Sequence, residues 1–293
     1  MSVQTAQRAA ITGERAVPAR EGGSKWWIYV ILVLFALFFL VPIYVAIMTS
    51  LKSVQDVTNT TIWQPPTSLT FDNFGKAFEA LDTGFRNSFL LVIPGVIISA
   101  VLGSLNGYVL SKWKFRGSEL IFTLILFGMF IPYQSVLIPL VQFLQSIPGL
   151  YASIPGLILV HVIYGIPITT LIFRNYYVGV PNELVESGTV DGAGFFGIYR
   201  NIILPLSMPA FVVVMIWQFT SIWNEFLFAV TLNSNPVAQP VTVALAGLGS
   251  SQAGTDYGMQ MAGSLMTALP TLLVYIFLGR YFIRGLLAGS VKG

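Results

Sequence analysis

Six apolar stretches, each long enough to cross a lipid bilayer as a helix, constrain the fold of this chain more than any other feature. A helix needs about 20 predominantly apolar residues to cross roughly 30 Å of hydrocarbon. The predicted spans cover residues 26–48, 87–110, 119–143, 153–173, 206–231 and 262–287. Only 9% of the 293 residues are charged, whereas soluble domains carry about 25%. The sequence therefore predicts an all-α, polytopic membrane protein, with a tail at 1–25 and a transmembrane domain at 26–290.

The distribution of Lys and Arg predicts the orientation. The first span follows a polar tail and is longer than a signal-peptide core, so we interpret it as an uncleaved anchor. With the N-terminus inside, most of the 15 basic residues fall in cytoplasmic segments. The outer segments keep only Lys52, Lys76 and Arg86. Because Lys and Arg favour the cytoplasmic side, both termini are predicted to be cytoplasmic.

Several kinds of site are excluded by what the sequence lacks. The chain has no cysteine and one histidine, so no thiolate metal site is possible and we predict neither a metal nor a cofactor. Zinc-protease, serine-hydrolase and P-loop motifs are absent from the sequence. We therefore expect a non-catalytic chain without an ATP site of its own.

Small residues recur every fourth position in the second span, at Gly95, Ser99, Gly103 and Gly107. They share one face of a helix, and such faces allow two helices to approach closely. We interpret this stripe as a packing surface. Prolines within or beside the spans are typical of the broken helices of transporters, but ordinary kinking explains them equally well.

Two ionisable residues fall within predicted spans. His161 in the fourth span is interpreted as a neutral, hydrogen-bonded structural residue. Glu225, towards the outer end of the fifth span, is costly to bury and is a functional candidate by default. An interfacial glutamate that snorkels or pairs is the equally weighted alternative.

The longest predicted cytoplasmic loop, residues 174–205, reads RNYYVGVPNELVESGTVDGAGFFGIYRNIILP. Pro181 begins a helix of about two turns, Asp191 and Gly192 form a turn, and a second short helix follows. GAGFFG at 192–197 matches the dinucleotide fingerprint, but no strand precedes it and a membrane span lies where its acidic residue belongs. Exposed acidic and apolar side chains, including Phe195 and Phe196, are typical of a surface that docks on a protein partner.

The spacing within this loop carries a family resemblance. From Glu186 the order is E-S-G, three residues, Gly192, nine residues, Ile202, one residue, and Leu204-Pro205. It resembles the E-A-A-x3-G-x9-I-x-L-P loop of ABC importer permeases, of the maltose-type sugar subfamily in particular. WNEFLFAV at 223–230, DYGMQMAGSLMTALP at 256–270 and the tail RYFIRGLLAGSVKG add to it. Ser187 and Gly188 replace the usual alanines, and Gly188 is predicted to weaken the first loop helix by up to about 1 kcal/mol.

The resemblance implies the type I ABC importer permease fold and a permease subunit of an ATP-driven sugar importer that forms half of the translocation path. The implied partners are a second, homologous permease in a heterodimer, two cytoplasmic ATPase subunits, an extracytoplasmic sugar-binding protein, the sugar and the bilayer, but no nucleic acid. The implied location is the cytoplasmic (inner) membrane of a prokaryote.

Carried onto this chain, the resemblance also implies functional residues. Those of the ATPase-coupling loop are Glu183, Glu186, Gly188, Asp191, Gly192, Ile202, Leu204 and Pro205. Those that contact the translocation path or the binding protein are Gln218, Trp223, Asn224 and Glu225. The outer loop at 232–261 is expected to face the binding protein.

Two other function classes stay open at this point. A stand-alone secondary transporter would need intramembrane acidic or histidine relays, for which only Glu225 and His161 are available. A membrane-bound enzyme or a scaffold is the second class. The missing catalytic motifs disfavour the enzyme, and the prolines of the spans mildly disfavour the scaffold.

Overall fold

The computed structural model describes residues 26–113, 115–248 and 256–290, without the side chains of 282–290. The predicted tail at 1–25 and part of the predicted outer loop, residues 249–255, lie outside the described residues. Two compact units divide the chain at Tyr44 and Val45. The first contains most of α1 (Trp26–Ser50), an apolar helix with a mean hydropathy of 3.0 in its most apolar window.

The second unit contains the remaining helices, and no strand occurs among the described residues. In chain order they are α2 (Val54–Asn59), α3 (Asp72–Lys112), α4 (Ser118–Phe127), α5 (Tyr133–Gln145), α6 (Ile154–Val178), α7 (Asn182–Val190), α8 (Phe195–Ile198), α9 (Leu204–Leu206), α10 (Met208–Trp223), α11 (Leu227–Leu232), α12 (Val241–Leu248) and α13 (Tyr257–Ser290). The prediction of an all-α polytopic fold is confirmed.

Within the described residues, four helices, namely α1, α3, α6 and α13, are long and apolar enough to span a membrane alone. Two bent helix pairs, Ser118–Phe130 with Tyr133–Gln145 and Phe195–Leu206 with Met208–Trp223, raise the number to as many as six if each pair is one span. The predicted span at 119–143 is one of these pairs, with 97° between its halves. Ile131 and Pro132 are extended at the bend, because proline disfavours helical geometry in the residue before it. In the predicted span at 206–231, α10 ends at Trp223 and α11 begins at Leu227.

Helix α3 is the central element of the second unit. Its 41 residues correspond to a length of about 60 Å, twice the roughly 30 Å of hydrocarbon, so it continues well outside the membrane. Asp72 lies in its first turn, and the Asp72 N–H donates to Thr70 Oγ1 over 3.2 Å.

Helices α3 and α6 pack closely along the predicted stripe of small residues. A Cβ atom on Gly103 would lie 2.2 Å from Thr169 Oγ1, and one on Gly107 would lie 2.8 Å from the backbone nitrogen of Arg174. No side chain fits at either position, so the interpretation of the stripe as a packing surface is confirmed.

The predicted outer segment after α1 is tied together by two buried charged side chains. Lys52 Nζ donates to Thr60 Oγ1 and to the carbonyl of Thr61, both over 2.8 Å. Asp56 accepts hydrogen bonds from the backbone and the hydroxyl of Thr67 at 2.8 and 3.0 Å. These bonds give this segment a defined conformation with little regular secondary structure.

Candidate functional site

The loop between α6 and α10 forms two short helical segments joined by a tight turn, as the sequence predicts. Pro181 precedes α7 with an extended ψ of 136°. Gly192 adopts a φ of +83°, a left-handed conformation that glycine accepts without steric cost. The Ala193 N–H donates to the carbonyl of Gly188 over 2.9 Å and closes the end of α7.

The second segment is less regular than the single short helix that the sequence predicts. Helix α8 continues into a π-helical turn, Tyr199–Ile203, and then into α9. The Leu204 N–H bonds to the carbonyl of Tyr199, five residues earlier, which defines a π turn.

The predicted coupling residues divide into an exposed set and a packed set. Exposed are Glu183, Glu186, Asp191, Gly192 and Pro205; Gly188 is buried, and Ile202 and Leu204 are half-buried. Only the exposed set is available to a partner, and the packed set holds the loop in shape.

Gly188 lies where the two segments touch. A Cβ atom there would come within 2.8 Å of Ile202 Cδ1. An alanine at position 188 would therefore gain helix propensity but would also make a contact that is too close. The penalty of up to about 1 kcal/mol expected from helix propensity alone therefore overstates the cost of this glycine.

Phe195 differs from the prediction that it is exposed. It is half-buried, with its ring 5.0 Å from that of Tyr108 and 5.3 Å from that of Trp113. Phe196 is 72% exposed and Val190 87% exposed. These two side chains form the apolar part of the free loop surface.

A buried cluster of hydroxyl groups fastens the loop to the membrane helices. Ser104 Oγ in α3 lies 2.6 Å from Tyr177 Oη in α6 and 2.8 Å from Tyr199 Oη in the loop. In addition, Lys112 Nζ donates to Asn182 Oδ1 over 2.8 Å. Sequence reasoning missed this cluster, because its members are 73 and 95 residues apart from Ser104. These bonds connect the loop directly to α3 and α6.

Replacement of Ser104 by alanine is expected to destabilise the protein by about 1–3 kcal/mol, since it leaves two tyrosine hydroxyls without their partner. Tyr199→Phe should cost less, because the bond between Ser104 and Tyr177 survives. Thermal unfolding midpoints of the detergent-solubilised protein measure both effects. Equal midpoints for the two variants would contradict this order.

A cavity of about 360 Å³ opens between the bent third span, α6 and α10. The residues that line it are Gly128, Met129, Ile131, Tyr133, His161, Tyr164, Gly165, Ile168, Trp217, Gln218, Ser221, Ile222, Glu225 and Phe228. Its size falls within the range of about 300–1,000 Å³ that is usual for small-molecule pockets. Two of the four predicted path residues, Gln218 and Glu225, line this cavity.

Helical periodicity and the break after α10 explain which of the four point there. Gln218 and Ser221 are three residues apart on one face of α10, and Glu225 reaches the same cavity from the break that follows the helix. Trp223 is 1% exposed, and its Nε1 donates to the carbonyl of Thr267 over 3.0 Å. Asn224 donates to the carbonyl of Thr220 over 2.8 Å. Trp223 therefore packs against α13, and neither it nor Asn224 lines the cavity.

Glu225 occupies the break between α10 and α11. Its Oε1 accepts the Phe228 N–H at 2.7 Å and its Oε2 accepts the Ala229 N–H at 3.2 Å. The carboxyl group thus satisfies backbone donors at the start of α11, an arrangement that offsets part of the cost of its burial.

His161 faces this carboxyl group without reaching it. Its Nε2 lies 3.8 Å from Glu225 Oε2, and this buried nitrogen has no hydrogen-bond partner. The expectation that His161 is a hydrogen-bonded structural residue is therefore wrong for Nε2. Within the described residues, no group of three His, Cys, Asp or Glu side chains is arranged to hold a metal.

The comparison with family models matches residues 95–285 to the binding-protein-dependent transport system inner membrane component family. The chain belongs to this family. The matched segment contains the loop between α6 and α10 and the cavity, and the chain is accordingly a multi-pass permease component of an inner-membrane ABC importer.

Individual relatives agree with this assignment over almost the whole chain. The xylose/arabinose import permease protein of Haloferax volcanii is 40% identical over 88% of this chain and 90% of its own length. The glucose import system permease protein of Saccharolobus solfataricus is 32% identical over 90% of this chain and 95% of its own. The similarity therefore extends over nearly the full length of both this chain and these permeases.

The fold is similar to that of a solved structure, a bacterial ABC transporter involved in the import of the acidic polysaccharide alginate. The TM-score is 0.74, with 23% identity over 87% of this chain and 94% of that chain. This similarity confirms the predicted importer permease fold.

Proposed function

We propose that this chain is the membrane subunit of an ATP-driven importer of neutral sugars and forms half of its translocation path. A second permease would complete the path, two cytoplasmic ATPase subunits would drive it, and an extracytoplasmic binding protein would deliver the sugar. The single observation that carries this proposal is the exposed surface of the loop between α6 and α10, which is fastened to α3 and α6 through Ser104, Tyr177 and Tyr199.

The exposed loop surface has the chemistry of a docking site for the ATPase. Glu183 and Glu186 provide charge on α7, and Val190 and Phe196 provide apolar contact area. Interfaces combine such apolar centres with a polar rim. A stand-alone secondary transporter has no need of this loop, so the loop favours the ATP-driven function.

The cavity supports a neutral rather than an acidic substrate. None of the side chains that line it is Lys or Arg, and Glu225 is its one acidic residue. An anionic sugar would lack a counter-charge and would be repelled by Glu225. Relatives named for the import of xylose/arabinose and of glucose support mono- or short oligosaccharides.

The orientation of the proposed complex follows from charge. The predicted outer segments contain few Lys and Arg residues, which supports cytoplasmic termini and a cytoplasmic coupling loop in the inner membrane of a prokaryote. The outer loop at 232–261 would then face the binding protein.

Purification of the chain from its native membrane tests this proposal. We expect an ATPase and a second permease to co-purify. ATP hydrolysis by this complex should rise when binding protein loaded with D-xylose, L-arabinose or D-glucose is added, and not with alginate oligosaccharides. Recovery of the chain without an ATPase, or uptake that depends only on a proton gradient, would overturn the proposal.

A further inference from the structure

We propose that His161 and Glu225 together bind one hydroxyl group of the transported sugar. This inference rests on the proposed function and makes this subunit a direct contributor to sugar recognition within the membrane.

The distance between the two side chains matches a bridge through one oxygen atom. The separation of 3.8 Å between His161 Nε2 and Glu225 Oε2 is too long for a hydrogen bond. It is short enough for a single oxygen atom to contact both groups at about 2.8 Å. Since a buried polar atom without a partner costs free energy, a ligand that supplies one is favoured here.

The donor and acceptor pattern selects a hydroxyl group. An imidazole N–H donates, whereas a carboxylate oxygen only accepts. A hydroxyl group accepts from the first and donates to the second, which neither a carbonyl oxygen nor an ammonium group can do. The N–H groups of Phe228 and Ala229 lie 2.7 and 3.2 Å from Glu225 Oε1 and Oε2, and each carboxylate oxygen can accept more than one hydrogen bond.

The surroundings of the pair suit a sugar ring. Tyr133, Tyr164, Trp217 and Phe228 line the same cavity and give it aromatic walls. Ser221 contributes a further hydroxyl group to this lining. Small-molecule sites are usually lined by apolar and aromatic side chains with a few polar groups, and this cavity has that composition.

The amide nitrogen of Gln218 is already hydrogen-bonded within the protein. Gln218 Nε2 donates to Ser99 Oγ over 2.8 Å. A Cβ atom on Gly165 would lie 2.0 Å from Gln218 Nε2, so the glycine makes room for this bond. Gln218 therefore holds α10 against α3 and shapes the cavity.

The test uses the complete importer in proteoliposomes, with the sugar-loaded binding protein that stimulates the wild-type ATPase. His161→Leu should lower the sugar transported per ATP hydrolysed by about tenfold, the factor expected for one hydrogen bond. His161→Gln, which retains a hydrogen-bond donor, should restore part of the sugar transported per ATP hydrolysed.

Thr267→Val is the matched control. Thr267 Oγ1 is also a buried polar atom without a partner, but Thr267 does not line the cavity. The Thr267→Val variant should transport as much sugar per ATP hydrolysed as the wild type. If His161→Leu transported as much sugar per ATP as the wild type, or if Thr267→Val lost as much as His161→Leu, the proposed hydroxyl site would be wrong. The proposed importer function would not be affected by either result. A wild-type ATPase that no sugar-loaded binding protein stimulates would overturn the proposed function as well.

Discussion

Replacement of Glu186 by lysine is expected to lower sugar uptake by at least about a hundredfold, because reversing a charge in a docked interface costs several kcal/mol. The side chain is exposed on α7, and exposed substitutions change the stability of a chain by about 0.5 kcal/mol or less. The variant should therefore reach the membrane in normal amount. Uptake of labelled sugar, and the quantity of ATPase that co-purifies with the chain, measure the effect.

Glu79→Lys provides the control for this experiment. Glu79 is also exposed, but it lies in the first turns of α3, in the segment predicted to face the opposite side of the membrane. The same change of charge there should leave the co-purified ATPase at the wild-type level. If Glu186→Lys retained both its ATPase and its uptake, α7 would not be the docking surface.

Replacement of Gly103 by leucine is expected to remove most of the folded protein from the membrane. Even a single Cβ atom would lie 2.2 Å from Thr169 Oγ1 and 2.9 Å from the backbone carbonyl carbon of Thr169, so a change of the threonine rotamer does not relieve the clash. Overpacking of this kind costs about 1–3 kcal/mol or more. The yield of monodisperse protein after detergent extraction and its thermal midpoint are the measurements.

Gly75→Leu is the matched substitution on the same helix. A Cβ atom at Gly75 has no other atom within 4 Å, so this variant gains helix propensity without a clash. Its yield should equal or exceed that of the wild type. A normal yield for Gly103→Leu would mean that α3 and α6 are not packed as closely as the structure shows.

The apolar spans were predictable because a membrane imposes one strong local rule. In hydrocarbon, backbone groups must be bonded within the segment itself, so an apolar stretch of sufficient length becomes a helix. Where helices break was less predictable. Pro42, Pro94, Pro139, Pro167 and Pro270 lie inside helices, whereas Pro132 marks a bend of 97°. Whether a proline lies within a continuous helix or marks a bend depends on contacts with neighbouring helices. These contacts cannot be inferred from the local sequence.

The conformation of the loop between α6 and α10 was largely predictable, but its attachment to the membrane helices was not. Pro181, Gly192 and the apolar pattern between them specify the local turn chemistry. The cluster of Ser104, Tyr177 and Tyr199 depends on how α3 and α6 cross, so only the packed structure brings these hydroxyl groups together.

The sequence by itself determined the class of this protein, its helical spans and its family, because hydrophobicity, proline, glycine and motif spacing act over short stretches of chain. Tertiary structure alone decided that Trp223 packs between helices and that His161 faces Glu225, 64 residues away. The rotation and crossing of helices place side chains in space, and these depend on close contacts such as that of Gly103 with Thr169. A local pattern shows which face of a helix is polar, but only the packed fold shows what that face meets.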